Sequence, residues 1–207
     1  KKKKVRDTIV NSPRIQGQLT GIPRQIKDTV TDIHNFALKW QKLNTRGCDE
    51  LSRLADVKLN LLSDDSKGAK SEFYSDELLE CCDKLNCTYK ALEVVSKKLD
   101  SFTEKLRKLD ELSDFSRSNS MSSLTENNSP FVTWSVNKFY KRAFEISKMH
   151  AKELLLKKSV VENAAHLVAD CRNILMTFSS SWLHEPFINE AVRKLNIETM
   201  LLECGHE

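Results

Sequence analysis

Glycine and proline are scarce in this 207-residue sequence, which contains five glycines and four prolines. Proline is absent between Pro23 and Pro130. An all-β protein needs turn-forming residues throughout its length, so this scarcity favours long helices. No apolar run approaches the roughly 18 residues of a membrane-spanning helix, and no secretory signal peptide is visible. No association with a membrane is therefore expected.

Sequence motifs of common enzyme classes are also missing. There is no glycine-rich phosphate-binding loop, no Gly-x-Ser-x-Gly nucleophile motif and no Cys-x-x-Cys pair among the six cysteines. These absences argue against a nucleotide hydrolase, a serine hydrolase and a zinc-binding module. The sequence predicts no catalytic residues, no cofactor and no metal, and it predicts reduced thiols in a cytosolic or nuclear protein.

One stretch, "HAKELLLKKSVVENAAH" (150–166), contains residue types that can bind a metal. Helical di-iron sites use Glu-x-x-His on each of two helices. Here His150 and Glu153 have the reverse order, and Glu162 and His166 are one residue too far apart. The two histidines lie about 160° apart around a helix, so they cannot share an ion. A metal-dependent helical-bundle enzyme is therefore only the third hypothesis.

Positive charge is concentrated at the N-terminus. The net charge is +4, and Lys1–Lys4 with Arg6 contribute five positive charges, so the remainder is nearly neutral. We interpret residues 1–22 as a disordered basic tail, with a nuclear localisation signal as one use. A direct nucleic-acid contact is not expected, because the folded part lacks a basic excess.

Two regions have the apolar spacing of coiled-coil helices. Spacings of three and four residues recur from Ile26 to Trp40 and again over about five heptads from Leu78 to Leu109. Gly47 is predicted to break the first region into two helices, and Ser75 or Asp76 is predicted to start the second. Residues 23–112 are thus predicted to form an extended antiparallel coiled coil.

The remaining chain divides into a linker and a helical region. Residues 113–130 are rich in serine and asparagine and are predicted to be a linker. Residues 131–207 are predicted to form a C-terminal helical segment, with helices near 136–165, 173–183 and 189–203. The predicted fold class is all-α, an elongated helical bundle or antiparallel coiled coil with this C-terminal segment.

Several apolar residues are candidates for binding a partner protein. Three consecutive leucines spread over roughly 200° of a helix and cannot all face one thin core. Two aromatic residues flank Pro186, and two leucines lie in the predicted seam. The candidates are Leu154, Leu155, Leu156, Trp182, Phe187, Leu92 and Leu99. The alternative is that the two aromatic residues are simply core residues.

Short motifs suggest contact with kinases and cyclins. Ser12 and Ser129 precede proline, and Ser120 follows Arg117 by three residues, so these three serines are candidate phosphorylation sites. Arg193, Leu195 and Ile197 fit the Arg-x-Leu-x-apolar pattern that docks on cyclins. The alternative for this pattern is a helix in which Leu195 is buried.

Several stretches match one known family in order and spacing: "RQIKDTVTDIHNFALKWQKLN" (24–44), "ADVKLNLL" (55–62), "KELLLKKSV" (152–160), "WLHEPFI" (182–188) and "ETMLLECGHE" (198–207). With "FVTW" and "FY" at 131–140, they make the chain resemble the cyclin-dependent kinase 2-interacting protein family. The resemblance covers about residues 24–207. It implies a non-catalytic nuclear adaptor, with the cytoplasm as a second location.

The resemblance also implies a set of partners: cyclin-dependent kinase 2, replication and checkpoint kinases, a helical partner subunit, and an AAA-type ATPase assembly active in ribosome maturation and replisome protein turnover. It implies no catalytic residues. The main alternative is a self-associating structural coiled-coil component.

Overall fold

Five α-helices make up nearly all of the described chain. The computed structural model describes residues 21–64, 75–119, 131, 133–167 and 171–206. The helices are α1 (Ile22–Asp64), α2 (Asp76–Asn119), α3 (Val136–Asn163), α4 (Cys171–His184) and α5 (Glu190–Glu203), with a 3₁₀ turn at Ala164–His166. No β-strand occurs within these ranges, so the predicted all-α class is confirmed. None of the helices there is long and apolar enough to cross a membrane.

Helices α1 and α2 form an antiparallel pair. The rings of Phe36 and Phe102 meet edge to face, with centroids 5.3 Å apart, and Arg53 lies close enough to Glu80 to lower the pKa of that carboxyl. The residues of the predicted seam are buried in the helical core; they include Ile26, Val30, Ile33, Ala37, Trp40, Leu78, Leu85, Leu92, Leu99, Leu106 and Leu109. The spacing of apolar residues therefore identified the buried face of each helix correctly.

Helix α3 is the third member of the same bundle. It runs antiparallel to α2, because Asn137 donates a hydrogen bond to Asp110 (2.6 Å) near its start and Glu162 approaches Tyr89 near its end. On its inner side, the His150 ring lies edge to face against Trp40 of α1, with centroids 4.8 Å apart. The segments on both sides of the predicted linker thus belong to one core.

Helices α4 and α5 follow one another along the groove between α1 and α3, and both run antiparallel to α1. Trp182 of α4 lies on Gly47, and His206, just after α5, contacts Thr31 (3.3 Å). We call the two helices and the turn between them the α4–α5 segment. Helix α4 lies mainly on α1, and α5 contacts both α1 and α3. Asn189 caps α5 by accepting a hydrogen bond from the Val192 amide (3.1 Å). At the other end, Gly205 adopts a left-handed conformation (φ +70°) and terminates the helix. All six cysteines are free thiols.

Helix α1 does not break at Gly47, so that prediction was wrong. A Cβ atom at position 47 would lie 2.4 Å from Cζ2 of Trp182 on α4. The missing side chain lets the indole ring rest directly on the α1 backbone. Glycine weakens a helix interior by about 1 kcal/mol relative to alanine, and burial of a tryptophan more than offsets this cost.

We expect Gly47→Ala to lower the free energy of unfolding by about 1–3 kcal/mol, because the new methyl group collides with the indole. Chemical denaturation followed by circular dichroism measures the change. In a Trp182→Leu background the same substitution should be neutral or stabilising, since only the helix propensity remains. An equal loss in both backgrounds would contradict the steric explanation.

Candidate functional site

The connection between α4 and α5 directs polar side chains into the core. Helix α4 ends at His184 because Pro186 cannot continue it. Between them, Glu185 adopts a left-handed backbone conformation (φ 45°), which is unfavourable for a residue with a side chain. The Ile188 amide closes the turn on the Glu185 carbonyl (2.8 Å). This geometry places the Glu185 carboxylate on the inner side of the turn, beside α1 and α3.

Lys157 of α3 lies at the centre of this region with no exposed surface. Its Nζ donates hydrogen bonds to Oδ1 of Asn44 (2.7 Å) and to the carbonyl of Trp182 (3.1 Å). The same atom lies 3.3 Å from a carboxylate oxygen of Glu153 and 3.6 Å from one of Glu185. One ammonium group thus joins α1, α3, α4 and the turn.

The groups around Lys157 also form hydrogen bonds with one another and with adjacent residues. Trp40 donates its indole N–H to Glu185 (2.6 Å), and Trp182 donates its own to the carbonyl of Asn44 (3.1 Å). The amide of Phe187 donates to Glu153 (3.1 Å). The Lys157 Nζ also lies 4.5 Å from the centre of the Trp182 ring. We call the set Lys157, Glu153, Glu185, Asn44 and Trp182 the Lys157 cluster.

Burial acts on the ionisable groups of the Lys157 cluster. It lowers the pKa of Lys157, against the opposing effect of the two carboxylates, and it raises the pKa of Glu185. Lys157 and Glu153 have no exposed surface through which a substrate could reach them. The arrangement therefore attaches the α4–α5 segment to α1 and α3.

His150 is a core residue. Its Nδ1–H donates to the Ile146 carbonyl (2.8 Å), and its ring packs against Trp40. Burial lowers the pKa of His150 to about 4, so the ring is neutral at physiological pH. Within the described ranges, no three side chains of the metal-binding types come together.

The predicted partner-binding residues have different fates. Trp182 is fully buried, so the docking-surface hypothesis for it is corrected to the alternative of a core residue. Leu92 and Leu99 are buried in the seam within this chain and are not available to a partner. Leu154 and Leu156 are half-buried, whereas the middle leucine, Leu155, is 70% exposed, and Phe187 is 49% exposed.

The cyclin-docking pattern is folded into α5. Arg193 and Ile197 are buried, 3% and 7% exposed, so a cyclin could not bind them in an extended conformation. The alternative was a helix in which Leu195 is buried. The helix is present, but Leu195 is 60% exposed. The candidate phosphorylation sites Ser12, Ser120 and Ser129, and residues 1–20 of the predicted basic tail, lie outside the described residues.

Sequence analysis missed Lys157, Asn44 and Glu185 as a connected group. One signal was visible, because Glu153 and Lys157 are four residues apart on a helix, but such pairs usually lie on a solvated surface. The other contacts join residues 113 and 25 positions apart and have no periodic signature.

Helix α5 carries an exposed apolar face. Val192, Leu195 and Leu202 are 38%, 60% and 63% exposed. On the side facing α1, a groove of about 330 Å³ has an apolar floor that includes Ala37, Leu38, Ile197 and Leu201.

Comparison with known proteins places the chain in a family. It is 35% identical over 198 residues to the bovine cyclin-dependent kinase 2-interacting protein, covering 88% of this chain and 89% of the relative. The mouse protein of that name is 36% identical over 194 residues, and the human one is 31% identical over 198, with the same coverage. No family model matches the chain. The chain belongs to the cyclin-dependent kinase 2-interacting protein family.

The stretch "WLHEPFI" (182–188) has a structural explanation in this member of the family. Trp182 packs on Gly47, Glu185 contacts Lys157, and the Phe187 amide binds Glu153. Three of its seven residues thus hold the α4–α5 segment against α1 and α3.

We expect Lys157→Met to lower the free energy of unfolding of this family member by about 3–5 kcal/mol, since Glu153 and Glu185 would remain buried without their cation. Urea denaturation at pH 7 measures the loss. Lys158→Met, at an exposed position on the same helix, should change it by less than about 0.5 kcal/mol. Adding Glu153→Gln and Glu185→Gln to Lys157→Met should recover part of the loss; no recovery would contradict the electrostatic explanation.

Stability should depend on pH through His150. Its folded pKa of about 4 lies below the ordinary value of 6.5, so the unfolded chain gains a proton between these pH values that the folded chain does not. The free energy of unfolding should therefore fall as the pH drops through this window, by up to roughly 3 kcal/mol. His150→Phe should remove that part of the slope, and His184→Gln, at an exposed position, should preserve it. Equal slopes in all three proteins would refute the assignment.

Proposed function

We propose that this chain is a non-catalytic adaptor that interacts with cyclin-dependent kinase 2. The kinase is named in the description of each relative reported above, and about nine-tenths of each relative is covered by this chain. The observation that carries the adaptor role is the exposed face of α5. A soluble domain rarely leaves large aliphatic side chains uncovered at coiled-coil spacing unless they bind another protein.

The rest of the proposal follows from the family resemblance. A helical partner subunit and an AAA-type ATPase assembly that acts in ribosome maturation and replisome protein turnover are the proposed additional partners. Replication and checkpoint kinases are proposed as further links, and the nucleus as the location. A non-catalytic role is supported by the full burial of Lys157 and Glu153, which are engaged in holding helices together.

Self-association through the long seam is less well supported. Leu92 and Leu99 would have to face a second copy, but they are 0% and 1% exposed within one chain. These positions are therefore already covered within one chain.

The adaptor proposal predicts a monomer that binds the kinase. Light scattering of the purified chain should give a mass near 23.8 kDa. Biolayer interferometry with purified cyclin-dependent kinase 2, alone and bound to a cyclin, should show saturable binding to at least one form. A stable dimer that binds neither form would favour the structural coiled-coil alternative and overturn the adaptor proposal.

A further inference from the structure

The exposed residues of α5 follow a coiled-coil pattern. Val192, Leu195, Thr199 and Leu202 are spaced by three, four and three residues and lie within about 80° of one another around the helix. The same spacing in α1 and α2 is buried between those helices, whereas here the three aliphatic side chains are 38–63% exposed. We call these four residues the α5 seam. This is the spacing that one helix contributes to a helix–helix interface.

Helix α3 lies beside the α5 seam and runs antiparallel to α5. Asn196 donates a hydrogen bond to Glu145 (2.9 Å), and the Thr133 amide, just before α3, donates to Glu203 (2.8 Å). The first contact is adjacent to Leu195, and the second is adjacent to Leu202. The sector of α3 that includes Glu145 therefore lies beside Leu195, and the residues just before α3 lie near Leu202.

That sector of α3 is basic. Lys138, Lys141, Lys148 and Lys152 are all exposed and lie within about 80° of one another, over roughly 21 Å of helix. The one acid among them, Glu145, is paired with Arg142 (3.2 Å) and bound by Asn196. In the part of the chain that the structure describes, Lys141, Lys148 and Lys152 make no ion pair. We call these four lysines the α3 lysine row.

The opposite border of the α5 seam carries an acid as well as a base. Glu198 pairs with Lys194 (3.8 Å), and its carboxylate side chain is more than half exposed. The seam is therefore flanked by excess positive charge on one side only. A nucleic acid would meet Glu198 and would gain nothing from the aliphatic residues. A lipid bilayer could take up aliphatic side chains, but its anionic headgroups would also meet Glu198.

We propose that the α5 seam and the α3 lysine row dock an amphipathic helix of a partner protein, with an apolar a/d stripe and acidic residues on the flank that faces α3. This inference rests on the adaptor function proposed above and specifies the chemistry of one partner. The partner's stripe pairs with Val192, Leu195 and Leu202. Its carboxylates lie beside the lysines, which sets the orientation of the helix.

The probe is a synthetic 21-residue helical peptide with leucine at a and d and glutamate along one flank. The matched control peptide has lysine at the glutamate positions. By fluorescence anisotropy, the glutamate peptide should bind at least tenfold more tightly than the lysine peptide, and binding should weaken as salt is raised. Equal binding of both peptides, or binding of neither, would overturn the proposal.

Variants assign the contact to this face. Leu195→Glu should weaken the glutamate peptide at least tenfold, and Leu183→Glu, at an exposed position on α4, should not. Lys141→Glu with Lys148→Glu should reverse the preference so that the lysine peptide binds better. Circular dichroism confirms that each variant is folded. If Leu183→Glu weakens binding as much as Leu195→Glu does, the docking surface is elsewhere and the proposal fails.

Two further arms separate other partner classes and the underlying function. Duplex DNA and vesicles containing phosphatidylserine should bind at least tenfold more weakly than the glutamate peptide, and tighter binding of either would overturn the proposal. Binding of cyclin-dependent kinase 2 is measured on the same samples. Loss of peptide binding with kinase binding intact refutes the docking inference alone. Peptide binding without kinase binding refutes the kinase interaction alone.

Discussion

A single buried ammonium group connects most of the elements of this structure. Lys157 has no exposed surface, and its Nζ contacts groups from α1, α3, α4 and the turn that follows α4. A buried charge is costly unless it is paired and hydrogen-bonded, and here two carboxylates, an amide oxygen and a carbonyl meet that requirement together. Glu153 lies on α3 with Lys157, whereas Asn44 is positioned by α1, and Trp182 and Glu185 by the α4–α5 segment. The charge is therefore fully compensated only when these elements are packed together.

Apolar and polar groups contribute differently to this fold. The seam residues of α1 and α2 form a large part of the apolar core, but coiled-coil packing tolerates shifts along the helix axis by whole heptads. The directional bonds of Asn44, Glu153 and Glu185 permit one alignment only. If the α4–α5 segment were displaced, Lys157 would lose its contacts with Trp182 and Glu185. Specificity thus comes from the polar cluster and from the contact of Trp182 with Gly47.

Periodicity predicted the long helices well and their mutual contacts only partly. The start of α2, the positions of α4 and α5 and the buried seam residues are local properties of spacing, capping and proline placement. The continuity of α1 through Gly47 could not be predicted, since it depends on an indole 135 residues away in sequence. The same is true of the Lys157 cluster. The spacing of Glu153 and Lys157 is typical of a pair on a helix surface, but residues of α1 and of the α4–α5 segment bury it. At the candidate interface, the three consecutive leucines correctly indicated one exposed residue, Leu155, but not that Leu195 would be exposed as well.

The order of elements along the chain has a consequence for synthesis on the ribosome. Helices α1 and α2 can pair as soon as both have emerged, yet Trp40, Asn44 and Gly47 of α1 also contact residues of α3 and the α4–α5 segment, which are synthesised later. Until α4 and α5 are translated, this part of α1 lacks those contacts and leaves apolar surface open to the surrounding solution. Chaperones that bind exposed apolar surface would therefore meet their substrate on α1, and release would follow the docking of α4 and α5.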